Sequence, residues 1–142
     1  MGEKETVTRL VLDTNVLVSA LLFRSQAAFM FKAWRGGRFL LAASEPILAE
    51  YAQALRFPEL GLSEQEPDAI MEQFVLPYCE RFEAVVGPRY CSDPDGDKFI
   101  NCALVARAEA LVSEDKALLS LASRVARVPI IPAADACARY CR

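Results

Sequence analysis

Leu10-Val11-Leu12-Asp13-Thr14-Asn15-Val16-Leu17-Val18-Ser19-Ala20-Leu21 is the stretch whose reading decides the fold. Leu10 to Leu12 is a short apolar run of the kind a strand buried on both faces shows, and it ends at an acid, Asp13. A helix is predicted directly after it, over 16–23. The same alternation continues outward. A second helix is predicted over 27–34, closed by Gly36-Gly37, and Phe39-Leu40-Leu41-Ala42 reads as a second buried strand. Ser44 offers an N-cap and Pro46 suits the first turn of a helix that runs to about residue 56. A polar turn over 57–66, an amphipathic helix over 67–78 and a third strand over 82–86 come next. Beyond a loop at 87–94, a helix that begins at Asp95 or Asp97 runs to 109, and Ala110-Leu111-Val112-Ser113 forms a fourth strand. A short helix over 116–121, a fifth strand over 128–131 and a terminal helix over 132–140 complete the chain. Strands alternating with helices predict an α/β sandwich around a mostly parallel sheet of about five strands.

The 142 residues suit one domain spanning 1–142. An apolar share of 54% with 25% charged residues excludes intrinsic disorder, a collagen-like repeat and a disulfide-stapled miniprotein. The first nine residues are charged and lack the apolar centre of a secretory signal. No apolar run approaches the ~20 residues that a membrane helix needs. The expectation is a cytoplasmic protein with no membrane association. The five cysteines are an odd number without a CxxC pair, and there is no histidine. A zinc cluster therefore lacks ligands, and Ser-His-Asp and Cys-His nucleophiles are excluded. The cysteines read as reduced thiols that pack as small apolar side chains. A net charge of −3 gives no overall basic field, yet 12 of the 16 cations are arginines, the residue suited to bidentate phosphate contacts.

The acids fall at informative places. Asp13 follows the first strand directly and Asp115 follows the fourth by two residues, so both lie at the carboxyl ends where parallel sheets bind ligands. Asp97 sits at a helix start, with Asn101 one turn later on the same face. Glu50 lies on the flank of the apolar stripe Ile47, Leu48, Tyr51 and Leu55. Each acid also has an ordinary structural use. Asp13, Asp97 and Asp115 can cap helices, and Glu50 can face solvent. Four acids from four segments can nonetheless converge, and such a cluster repels itself unless a cation sits inside it. Oxygen ligands alone select a hard cation such as magnesium or manganese, and one or two such ions serve phosphodiester hydrolysis without histidine.

Three rival readings fail on inspection. Asp93-Pro94-Asp95-Gly96-Asp97 opens like a calcium loop, but Lys98 and Leu104 occupy its sixth and twelfth positions. A dehalogenase-type phosphatase needs an aspartate where Asn15 stands, and a receiver domain needs one where the second strand runs into Ala42-Ala43-Ser44.

Four segments resemble, in order, the motifs of PIN-domain nucleases. They are the opening stretch 10–21, Ser44-Glu45-Pro46-Ile47-Leu48-Ala49-Glu50, Ser92-Asp93-Pro94-Asp95-Gly96-Asp97-Lys98-Phe99, and Leu111-Val112-Ser113-Glu114-Asp115-Lys116-Ala117-Leu118-Leu119. The resemblance runs from about Arg9 to Pro132 and is to the branch of toxin–antitoxin toxins akin to VapC. It implies a three-layer α/β/α sandwich, dependence on Mg²⁺ or Mn²⁺, single-stranded RNA as substrate, and a homodimer that binds an antitoxin protein. It places Asp13, Glu50, Asp97 and Asp115 as metal-holding catalytic acids. Thr14, Asn15, Asp95, Asn101 and Ser113 would orient them, and Arg24 and Arg89 would hold backbone phosphates. Glu114 departs from the usual glycine of the branch, and Gly96 from a position that is often acidic. The leading expectation is a metal-dependent endoribonuclease acting as a toxin. The alternatives are a catalytically degenerate RNA- or protein-binding module and a small phosphatase acting on a monophosphate.

Overall fold

β1 (Arg9–Leu12) occupies the middle of a five-stranded sheet in the order β3-β2-β1-β4-β5, and every neighbouring pair is parallel. The computed structural model describes residues 7–142 except 92, 93, 123, 124 and 126, and only the backbone of residue 94. Leu10, Val11 and Leu12 are completely buried, which is why the run carries no polar alternation. α1 (Thr14–Leu22) and α2 (Ala28–Arg35) lead to β2 (Leu40–Ala43), and α3 (Glu45–Ala54) and α4 (Glu66–Ile70) lead toward β3 (Cys79–Arg81). α5 (Pro94–Ala106) then crosses back to β4 (Ala110–Val112), followed by α6 (Lys116–Leu119), β5 (Ile130–Ile131) and α7 (Ala133–Tyr140). The architecture is α/β, a five-strand parallel sheet flanked by helices.

The direction of winding matters for the site. From β1 the chain steps to β2 and β3 on one side, and α5 carries it across to β4 and β5 on the other. Parallel crossovers are right-handed, so the crossover through α5 runs over the face opposite to that of the crossover through α1 and α2. α5 packs on β1, β2 and β4, while α2 packs with α1 and α7. The reversal places a crevice outside the carboxyl ends of β1 and β4, where open parallel sheets bind ligands.

One predicted strand is corrected. The third strand is Cys79–Arg81 and not 82–86. Its register pairs Leu41 with Cys79, Ala42 with Glu80 and Ala43 with Arg81, and Phe82 N–H donates the last bond to the Ala43 carbonyl at 2.9 Å. β2 ends there because Ser44 begins α3, so Glu83 to Val86 have no strand to pair with. Val86 is fully exposed in consequence. The predicted helix over 67–78 is also irregular. After α4, a π turn covers Met71–Val75 and a 3-10 turn covers Leu76–Tyr78, with Leu76 N–H bonded to the Met71 carbonyl. Pro77 has no N–H, and its ring crowds the preceding turn, so a regular α ladder cannot continue through it.

Among the described residues, which include all five cysteines, there is no disulfide. Among those residues no helix is long and apolar enough to cross a membrane.

Candidate active site

The register between β1 and β4 builds the centre of the site. Leu12 pairs with Val112, so the next residues, Asp13 and Ser113, emerge side by side at the carboxyl edge. Asp13 N–H continues the ladder to the Val112 carbonyl at 2.9 Å. The residue is 9% exposed, and each carboxylate oxygen accepts a hydrogen bond, Oδ1 from Thr14 N–H at 2.7 Å and Oδ2 from the Ser113 hydroxyl at 2.8 Å. Asp13 is thus the N-cap of α1 and still presents its carboxylate at the crevice.

Ser113 is wholly buried and works in two directions. Its hydroxyl donates to Asp13, and its oxygen accepts Asp115 N–H at 2.9 Å. Asp115 is itself the N-cap of α6, with Oδ1 accepting Ala117 N–H at 2.9 Å. One hydroxyl therefore ties the two strand-end acids together.

Glu50 reaches this place from α3. Tyr51, wholly buried, donates its hydroxyl to the Leu12 carbonyl at 2.5 Å and so holds α3 against the end of β1. The neighbouring Glu50 then meets Thr14, whose hydroxyl donates to Oε2. Its other oxygen, Oε1, lies 2.5 Å from the Lys98 ammonium, which also sits 5.2 Å from the centre of the Phe99 ring. Asp13, Thr14, Asn15, Glu50, Gln53, Ala54 and Phe57 line a cleft of about 350 Å³.

Burial is the main influence on Asp13 and pushes its carboxyl above the ordinary value. The hydrogen bonds from Ser113 and Thr14 oppose this, and the charges of Asp115 and Glu50 add to the rise. Asp13 therefore lies within electrostatic reach of two of the other expected acids, Glu50 and Asp115. The three come from β1, α3 and the β4–α6 turn.

The fourth, Asp97, commits one of its oxygens to a loop. It lies in the first turn of α5, and its Oδ1 accepts N–H bonds from Tyr90 at 3.0 Å and Cys91 at 2.8 Å. Burial raises its pKa, but the bonds from Cys91 and Tyr90 and the charge of Arg89 outweigh this and hold it below the ordinary value. Asp97 pins the 87–91 loop onto α5. Asn101, one turn on and buried, packs against Gly87 in that loop, where a Cβ would lie 2.3 Å from its Oδ1. Gly96 faces Cys91 in the same way, with Sγ 2.7 Å from any added Cβ. That close packing accounts for glycine at 96. Asn15, Asp95, Arg24, Arg89 and Glu114 are all exposed, Arg24 in the turn after α1 and Arg89 in the pinned loop. Asp93 lies outside the described residues.

The donor set suits a hard divalent cation by its chemistry, since the polar groups lining the cleft are carboxylates, a hydroxyl and amides, with no thiol or imidazole among them. Among the described residues, however, no three Asp, Glu, Cys or His side chains stand at metal-ligating separations. Lys98 is the residue that sequence reasoning passed over. It stands beside Asp97 in the chain, and no local pattern reveals that its ammonium crosses to Glu50 on another helix.

The PIN domain family matches residues 9–117. No curated protein matches the sequence. Among solved structures, the PIN domain endonuclease Utp24 aligns with a TM-score of 0.51 at 15% identity, over 87% of this chain and 84% of that one. That likeness is one of fold, the same sheet and helices carrying a different sequence. With the family match extending over β1, α1, α3, α5 and β4, the elements that carry the acids, the chain belongs to the PIN domain family.

Proposed function

We propose that this protein is a metal-dependent endoribonuclease that hydrolyses phosphodiester bonds of single-stranded RNA. The observation that carries the reading is the nearly buried Asp13 carboxylate at the β1–β4 crevice, tied through Ser113 to the Asp115 turn and sharing Thr14 with Glu50, and acted on by the charges of both acids. Asp13, Glu50, Asp97 and Asp115 would hold Mg²⁺ or Mn²⁺, one ion or two. A bound ion of this kind acidifies water and neutralises phosphate charge.

The chain's own groups do the rest. Ser113 fixes the Asp13 carboxylate and the start of the Asp115 turn, and Thr14 fixes Glu50. Asn15, an exposed residue of the cleft lining, would orient a water or a phosphate oxygen. Asn101 and Asp95 support the α5 start, with Asn101 buried beside Gly87 and Asp95 exposed in the first turn. Arg24 and Arg89, both exposed, would grip backbone phosphates. The resemblance to VapC-type proteins favours a toxin of a toxin–antitoxin pair, a single domain over 1–142, a homodimer, an antitoxin partner and a cytoplasmic location.

The test is cleavage of a labelled single-stranded RNA with Mn²⁺, comparing wild type, Asp13→Asn and wild type in EDTA. Cleavage by wild type alone is expected. Equal cleavage by Asp13→Asn would sink the reading. A second reading, a degenerate RNA- or protein-binding module, draws on the lack of ligand-spaced acids among the described residues. Retained RNA affinity with no Mn²⁺ binding in calorimetry would favour it.

A further inference from the structure

Both oxygens of Glu50 are occupied within the protein, Oε2 by the Thr14 hydroxyl and Oε1 by the Lys98 ammonium. The Lys98 side chain is 20% exposed and that of Glu50 33%, so the pair is shielded from solvent more than the chain's other ion pairs among the described residues. Phe99, itself buried, lies under the ammonium and leaves it against the carboxylate. Asp13 directs each of its oxygens to a donor, and Asp115 directs one. A cluster of acids without a cation is self-repelling, and among the described residues Lys98 is the cation that pairs with one of them.

We infer that Lys98 is a built-in counter-ion that holds Glu50 in the metal-free protein and must release it before a divalent cation can load. This rests on the metal-dependent reading above and adds a control on that site. The physical basis is competition. An ammonium at Glu50 Oε1 and a divalent cation at the same oxygen exclude each other by charge and by volume. Removing the ammonium leaves the carboxylates uncompensated, which weakens the metal-free fold and strengthens the cation's hold. An arginine at 98 would keep the charge and so the competition.

The experiment is calorimetric titration of Mn²⁺ into the full-length, EDTA-stripped protein, comparing wild type, Lys98→Met, Lys98→Gln, Lys98→Arg and Asp13→Asn at one ionic strength. Thermal melts with and without Mn²⁺ accompany each titration. The expected result is Mn²⁺ binding about three- to tenfold tighter in Lys98→Met and Lys98→Gln than in wild type, the range a partly shielded ion pair supplies. Lys98→Arg stays close to wild type. The neutral variants melt lower than wild type without metal and recover with it. Wild-type affinity or weaker in both neutral variants, with wild type binding Mn²⁺ and Asp13→Asn not, overturns the counter-ion role and leaves the metal site standing. Absence of Mn²⁺ binding in every form overturns both.

Discussion

Asp13 carries opposing demands at one side chain. It caps α1, accepts the Ser113 hydroxyl and faces two other acids from a nearly buried position. Burial raises its pKa above the ordinary 3.8, so the folded protein binds its proton more tightly than the unfolded chain does. The stability that follows is present below 3.8 and is lost as pH rises through the higher folded value. At neutral pH the ionised carboxylate is therefore a cost borne by the fold. Asp13→Asn is expected to raise the melting temperature of the metal-free protein at pH 7, with the advantage shrinking as pH falls toward 4. The same variant is expected to lose cleavage by more than the roughly 10- to 100-fold typical of groups that only orient a ligand. Melting curves across pH and the RNA assay check the two halves. A lower melting temperature at pH 7 would refute the first. The position of Asp13 was readable locally, as an acid ending an apolar run. Its partner Ser113 lies 100 residues away and becomes a neighbour only through the β1–β4 register.

At the scale of elements, the loop before α5 depends on that helix's first turn. Asp97 is the acceptor for two loop N–H groups, and its pKa is held below 3.8. Its contribution is therefore present above 3.8 and is lost as pH falls through the lower folded value. Asp97→Ala leaves both N–H groups without their acceptor and is expected to speed trypsin cleavage after the exposed Arg89, while Asp97→Asn, which keeps an oxygen there, cuts at close to the wild-type rate. Mass analysis of timed digests reads this directly, and equal rates for Asp97→Ala and wild type would refute it. Gly87→Ala tests the other side of the same loop. Its Cβ would meet buried Asn101 at 2.3 Å, and an overpacking loss of about 1–3 kcal/mol in urea unfolding is expected. Helix starts were legible because capping residues and prolines act within a turn. β3 was not, because an apolar sequence such as Ala84-Val85-Val86 pairs only where a neighbouring strand still runs, and β2 has ended by then.

For the whole molecule, the reversal of strand order around β1 brings strand ends from opposite halves of the chain to one crevice. A cation bound there would stabilise the folded state alone. At about a hundred times its dissociation constant, Mn²⁺ is expected to add about 2.7 kcal/mol, reversed by EDTA and absent in Asp13→Asn. The sequence by itself determined the alternation of strands and helices, the acids at strand ends and the oxygen-only donor set, because apolar periodicity, capping and residue chemistry act within a few positions of the chain. Only the tertiary structure decided which acids meet. Thr14 finds Glu50 across 36 residues, one oxygen of Asp97 holds the loop before α5, and Lys98 crosses from α5 to Glu50. Those choices follow from sheet order and helix packing, in which distant segments compete for the same space, and no local pattern encodes them.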